Sequence, residues 1–241
     1  ITMFREAETA PVRLVQPGEG DAVGLPMHSA GEAALGTGET LQYRLEDQDG
    51  FVLDDHSIAV VRDASGAYVQ FSADVLYPRP FGTGGTLVLS TVDATGREIN
   101  AIAVPVRFIQ ADAVEVKIYF GNRERDPQAA ACDVSYPVAR RIPHSDDPVE
   151  AALRELLQGP SLSEGRQQFF TSIPDGVRVQ DAAWADGVLT VDFSSALMEE
   201  RGGSCRVTAI RAQIEQTLKQ FPSVRSVRIT VNGEEEGVLE P

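Results

Sequence analysis

Along residues 11–109 apolar and polar side chains alternate with a period of two. VRLVQP, LQYRLED, FVLDD, IAVV, YVQFSADVLYP, TLVLSTVD and NAIAVPVRFI each alternate or form a short apolar run. Between them stand PGEGD, DQDG, DASG, GTGG and DATG, whose glycines admit positive φ and whose aspartates bond the backbone of a turn. Roughly seven short strands at regular spacing, with no helical stretch, predict an all-β sandwich. This half carries no cysteine, so such a sandwich would lack the antibody-type bridge.

After Gln110 the pattern changes. VEVKIYF (114–120) reads as a strand ending at Gly121-Asn122, and YPVARRIP (136–143) as a second. Asp147 is placed as a helix N-cap, Pro148 suits the first helical position, and Glu150 completes a D-x-x-E box. Val149, Ala152, Leu153, Leu156 and Leu157 then form one apolar stripe, which Gly159-Pro160 terminates. VRVQDAAW and VLTVDF pair as a hairpin across Ala185-Asp186-Gly187. From Ser204 a longer helix presents Val207, Ile210, Ile214, Thr217, Leu218 and Phe221, Pro222 ends it, and VRSVRITVN is the last strand. The predicted order is β-β-α-β-β-α-β: an α+β domain at 113–241, with a mixed sheet packed by two helices. A short linker is expected near Gln110–Ala113.

The C-terminal segments resemble the GerMN domain of bacterial sporulation and germination proteins and of envelope lipoproteins. The resemblance is carried by VKIYFGN (116–122), VARRIP, the capped helix with its LLQGPS exit, TSIPDGV (171–177), DGVLTVDFSSAL, and the final helix and strand with ITVNG. The N-terminal half resembles the immunoglobulin-like module that accompanies GerMN, through QPGEGDAV (16–23), LPMHSAGEA (25–33), the LEDQDG turn, FSADV (71–75) and AVPVRF. The resemblance implies a protein of the cell envelope or spore that works by association with other envelope proteins or with itself. GerMN is similar in fold to ring-building modules of secretion assemblies, which makes self-association part of the expectation. One copy is present, where the germination protein that names the family has a tandem pair.

Composition narrows the partners. With 36 Asp+Glu against 21 Lys+Arg the net charge is −15, a field that repels nucleic acid and anionic membrane surfaces. No apolar run approaches the roughly 20 residues that span a bilayer. The chain begins at Ile1, so an upstream segment is expected, with room for a signal peptide or lipid anchor; membrane attachment would go through that tether alone. Cys132 and Cys205 lack a CxxC or a nearby His pair and so do not read as a zinc site. A disulfide, two buried thiols and a nucleophile remain as readings. The disulfide is preferred because it would join the loop after the domain's first strand to the start of its last helix, and it would place the chain in an oxidising compartment.

Catalytic and cofactor signals are weak. His28, His56 and His144 lie in polar or turn-like contexts and read as surface residues, although Asp54, Asp55, Asp146 and Asp147 stand near two of them. GTGG (82–85) lacks the Lys-Ser/Thr and following helix of a phosphate loop. Glu199-Glu200 and Glu234–Glu236 lack the alternating oxygens of a calcium loop, and DQDG and DATG read as turns. No cofactor and no metal are therefore assigned. The aromatics Tyr77, Phe81, Phe169 and Phe170, in or beside loops, are the candidate partner contacts, weighed against core packing. The sequence thus predicts a non-catalytic extracytoplasmic adaptor or assembly module. A cell-wall glycan-binding module and an unrecognised hydrolase are the alternatives.

Overall fold

The computed structural model describes residues 11–61, 68–80, 82–109, 112–127, 131–143, 147–199 and 203–239. The protein is mostly β-structure with few helices, and the chain divides into two compact units, one up to Asp112 and one from Ala113. Phe81, His144, Asp146, Glu200, the whole DASG turn and Gln110 and Ala111 of the expected linker lie outside the described residues.

The first unit holds β1 (Val12–Gln16), β2 (Ala22–Val23), β3 (Met27–Ala33), β4 (Thr40–Asp47), β5 (Val52–Ile58), β6 (Val60–Val61), β7 (Val69–Val75), β8 (Gly84–Val92) and β9 (Glu98–Phe108). They form two sheets, β1-β3-β7-β6 and β2-β9-β8-β4-β5. The period-two text works as anticipated: along β4, Leu41, Tyr43, Leu45 and Asp47 are buried and the residues between them are not. Leu41, Leu45, Leu87, Leu89 and Phe108 from one sheet share a core with Met27, Phe71 and Val75 from the other. Each such side chain contributes about 1.5–3 kcal/mol by leaving water.

The GTGG run is part of this packing. Gly85 pairs with Asp47 and Val106, and a Cβ there would meet the Phe108 ring at 2.4 Å and the Glu46 carbonyl at 2.6 Å. Close approach of a strand to a ring, not a phosphate, explains that glycine.

The second unit holds β10 (Ala113–Asn122), β11 (Tyr136–Pro143), α1 (Pro148–Gln158), α2 (Leu162–Arg166), β12 (Phe169–Phe170), β13 (Val179–Ala185), β14 (Val188–Phe193), a 3₁₀ turn at Ser195–Met198, α3 (Ser204–Leu218) and β15 (Ser226–Val231). Asp147 caps α1 by accepting from Val149 N and Glu150 N, with Pro148 leading the helix and Gly159 closing it at φ 82°. Glu150 does not complete the box but pairs with Arg154 at 3.2 Å. The reciprocal box forms one element later: the Ser161 hydroxyl accepts from Glu164 N at 3.2 Å, and the Glu164 carboxylate accepts from Ser161 N at 2.8 Å. That cap starts α2, a helix the sequence reading lacked. Asp186 and Gly187, both at positive φ, make the tight turn of the β13–β14 hairpin.

The single mixed sheet is corrected to two three-stranded sheets, β11-β10-β12 and β13-β14-β15, the second mixed because β15 runs parallel to β14. Side chains from the last turn of α3 and from the turn just after it satisfy the edge of β10 where a strand would have continued the sheet. Gln220 accepts from Lys117 N at 2.8 Å and donates to Lys117 O at 2.7 Å, while Tyr119 N donates to Thr217 Oγ1 at 3.1 Å. Val207, Ile210, Ile214 and Leu218 of α3 are buried, and the helix packs on β10, β15 and α1. Between α1, α2 and β11 lies a buried charge cluster. Arg140 Nη2 donates to Glu164 at 2.7 Å, and its Nε stands 3.2 Å from Glu155.

Candidate functional site

The candidate site is built where the loop after β10 meets the start of α3. Cys132 in that loop and Cys205 in the first turn of α3 form a disulfide, with Cα atoms 5.1 Å apart and a separation of 73 positions in sequence. Cys205 is exposed and Cys132 half-buried, so the bridge lies at the surface. Gln216 adds a second tie, donating to Asp133 O at 2.9 Å.

Asn122, buried at the end of β10, shapes the turn leading into the loop. Its Oδ1 accepts from Glu124 N and Arg125 N at 3.0 Å each, and its Nδ2 donates to Gln167 O at 3.0 Å. On the far wall Gln213 of α3, 1% exposed, accepts from Thr171 Oγ1 at 3.1 Å and Ser172 N at 3.2 Å. Arg206 Nε donates to Ser172 O at 3.1 Å. Thus the TSIP segment is held by two polar side chains that stand two turns apart on α3.

Between these walls is a cleft of about 200 Å³. Phe170, Tyr136, Val134, Ala209 and the disulfide supply apolar surface, and Arg206 is its cation. Phe170 lies across β10 at Gly121, where a Cβ would come within 2.4 Å of the ring; the glycine makes room for it. Arg123 stacks on the outer side of the site, 4.5 Å from the Phe170 centroid, and Arg125 lies 5.3 Å from that of Tyr136 and 5.7 Å from that of Phe169.

Of the sequence-named aromatics among the described residues, Phe170 alone is at this surface. Phe169 is 8% exposed and belongs to the core. Tyr77 is 3% exposed, packs on Phe108 with centroids 5.1 Å apart and donates to Gly24 O at 2.8 Å. Both are corrected from partner contacts to core residues: a ring sealed inside the fold offers no surface. The sequence reading missed Arg123, Arg125, Arg206 and Tyr136. Trp184, 43% exposed on the edge strand β13, was missed as well.

The histidines separate. His28 is exposed and faces Asp74 at 2.9 Å, as a surface residue. His56 is corrected: it is 6% exposed, with Nδ1 3.3 Å from Asp54 and 3.2 Å from Tyr43 Oη, and Tyr43 also donates to Asp54. Alternation of β5 turns Asp54 and His56 toward Tyr43 of β4, and none of the three is open to a substrate.

The acidic turns bond their own backbone. Asp47 accepts from Asp49 N and Phe51 N at 3.0 Å each. Asp93 accepts from Thr95 N at 2.9 Å, Thr95 Oγ1 at 2.6 Å and Arg97 N at 3.1 Å. The Thr95 hydroxyl first, then the Arg97 N–H, lower the Asp93 carboxyl to about 2. Among the described residues no three His, Cys, Asp or Glu side chains converge as a metal set. No described helix is long and apolar enough to cross a membrane.

A second hollow, about 340 Å³, lies against β15. Its arginines are engaged: Arg228 stands 3.3 Å from Glu235, and Arg211 donates to Val238 O at 3.2 Å and lies 3.7 Å from Glu215.

Residues 117–237 match the family model for Germane, described as sporulation and spore germination. The chain is 32% identical over 108 residues to the spore germination protein GerM of Bacillus subtilis, a match covering 43% of this chain and 29% of GerM. The solved tandem GerMN domains of the sporulation protein GerM from B. subtilis superpose with a TM-score of 0.41 at 24% identity, covering 54% of this chain and 45% of that one. The first GerMN domain of that protein gives 0.37 at 22% identity, covering 51% and 85%.

Proposed function

The chain belongs to the Germane family of sporulation and spore germination proteins, and from that premise we propose that it is a non-catalytic, extracytoplasmic adaptor of the cell envelope, with an N-terminal immunoglobulin-like domain at 11–109 and a GerMN-type domain at 113–241. The observation that carries this reading is the disulfide-pinned cleft. Its polar groups Asn122, Gln213 and Arg206 Nε are engaged in holding backbone, so what faces outward is aromatic, aliphatic and guanidinium surface, the chemistry of a contact and not of bond breaking. The exposed bridge supports an oxidising compartment. The strand orders β1-β3-β7-β6 and β2-β9-β8-β4-β5 support the immunoglobulin-like assignment, since they match an A-B-E-D sheet facing a G-F-C sheet with added edges.

Affinity capture from envelope extracts of a spore-forming bacterium tests the role. Immobilised chain is expected to retain a defined set of envelope proteins that chain unfolded by reduction and alkylation does not. If both columns retain the same proteins, the adaptor reading fails.

A further inference from the structure

Of the chain's three asparagines, Asn232 is the one followed by glycine. Asn232-Gly233 is exposed and forms the tight turn after β15, with φ of 51° and 81°. Val231 N donates to Glu234 O at 2.9 Å and Glu234 N to Val231 O at 3.1 Å, closing the turn. Asparagine is a thermolabile residue, most of all before glycine, where no Cβ hinders the next amide nitrogen from reaching the carboxamide. Here that nitrogen is held. Gly233 N donates to Asp192 Oδ1 at 2.8 Å, and Thr230 Oγ1 donates to the same oxygen at 2.6 Å, which fixes the carboxylate of β14 under the turn. Gln180, with its amide turned to donate, reaches Asp192 Oδ2 at 2.9 Å and Asn232 Oδ1 at 3.2 Å.

We propose that Asn232-Gly233 is a deamidation site whose rate Asp192 controls. In the reaction the Gly233 nitrogen loses its proton to solvent and attacks Asn232 Cγ. The new C–N bond closes a cyclic imide, and the bond from Cγ to the side-chain nitrogen breaks, releasing ammonia. One water then opens the imide at either carbonyl and leaves aspartate or isoaspartate, so one water is consumed for one ammonia released. Asp192 opposes the first step twice. Its hydrogen bond must break before the nitrogen can turn to Cγ, and the attacking amide anion would form 2.8 Å from a carboxylate, where like charges repel. Isoaspartate carries the backbone through its β-carbon, and the extra methylene is incompatible with the paired bonds between Val231 and Glu234. Beyond the turn Val238 and Leu239 are buried, with their carbonyls bonded by Arg211, so the modification loosens a packed segment. The reaction needs no partner protein, and its failure would leave the adaptor reading standing.

The test is incubation of the full, disulfide-bonded chain at mildly alkaline pH, with peptide mapping by mass spectrometry and enzymatic methylation of isoaspartate. Asn232 is expected to deamidate at least about tenfold more slowly in the folded chain than in chain unfolded by urea, the effect of one hydrogen bond to a charged group. Both aspartate and isoaspartate should appear at position 232. D192A should speed the folded chain at least about tenfold. D192N, which keeps an acceptor but drops the charge, should speed it by less. E236Q removes a nearby exposed acid and should leave the rate unchanged. Thermal unfolding followed by Trp184 verifies that the variants are folded, and D192N, nearly isosteric with the native residue, carries the comparison where D192A does not fold. Equal rates in folded and unfolded chain overturn the proposal, as does the unaltered rate in either folded Asp192 variant. So do equal acceleration by E236Q, and aspartate formed without isoaspartate.

Discussion

Replacing Arg140 by methionine removes a cation placed against two buried carboxylates. Arg140 and Glu164 side chains are 12% and 11% exposed and Glu155 is 4% exposed, so water cannot take over the lost bonds. Breaking a buried pair from one side costs about 3–5 kcal/mol, because the stranded charge keeps its desolvation penalty. With a urea slope of about 2 kcal/mol/M for a domain of this size, the midpoint should fall by about 2 M. Trp184, the single tryptophan of the chain, lies in β13 of the same unit, so its emission reports that unit. A second variant separates charge from packing. R140M/E155M/E164Q removes all three charges while glutamine still serves the Ser161 cap, and it should regain most of the loss. A midpoint drop below about 0.5 M for R140M, or no recovery in the triple variant, would refute the argument that an uncompensated charge sets the cost.

Other outcomes follow from the same geometry. C132S/C205S should lose about 4 kcal/mol of second-unit stability by the chain-entropy estimate for a 73-residue separation, read by urea unfolding at matched pH. G121A should push the Phe170 ring off β10, changing its ring proton shifts, with the disulfide still formed by thiol assay. In a carboxyl NMR titration Asp93 should titrate near 2, and T95A should move it up toward the ordinary aspartate value of 3.8. Because folding lowers this group, its contribution is full above 3.8 and lost as pH falls through 2; T95A should narrow that window.

Much of the fold was legible because local rules and tertiary packing agree. The alternation of β4, the Asp147 and Pro148 start of α1, the Gly159 stop and the Asp186-Gly187 turn each carry a mechanism that acts over a few residues. The paired cysteines were legible through the elements they would join. The splitting of the sheet was not, since it depends on Thr217 and Gln220 reaching a strand about a hundred residues away, and a threonine on an apolar stripe looks like packing. Ser161-x-x-Glu164 did carry a helix signal, but it follows Gly159-Pro160 so closely that it read as the exit of α1. His56 and Tyr77 looked exposed because their neighbours in sequence are polar, whereas burial follows strand alternation and corner packing. The arginines of the cleft had no signature at all. Arg123 and Arg125 stand in a polar loop, and only the arrival of Phe170 over Gly121 and of α3 behind it makes them part of a site.

The bridge between Cys132 and Cys205 encloses β11, both short-spaced helices α1 and α2, and the β13–β14 hairpin. A protease that cuts once anywhere inside that span opens the chain without releasing a fragment. The nicked protein would keep both strands of its cleft joined, migrate as one species on a non-reducing gel and separate into two only after a reductant is added. A hydrolysed backbone does not reseal, yet such a molecule survives its first cut in one piece.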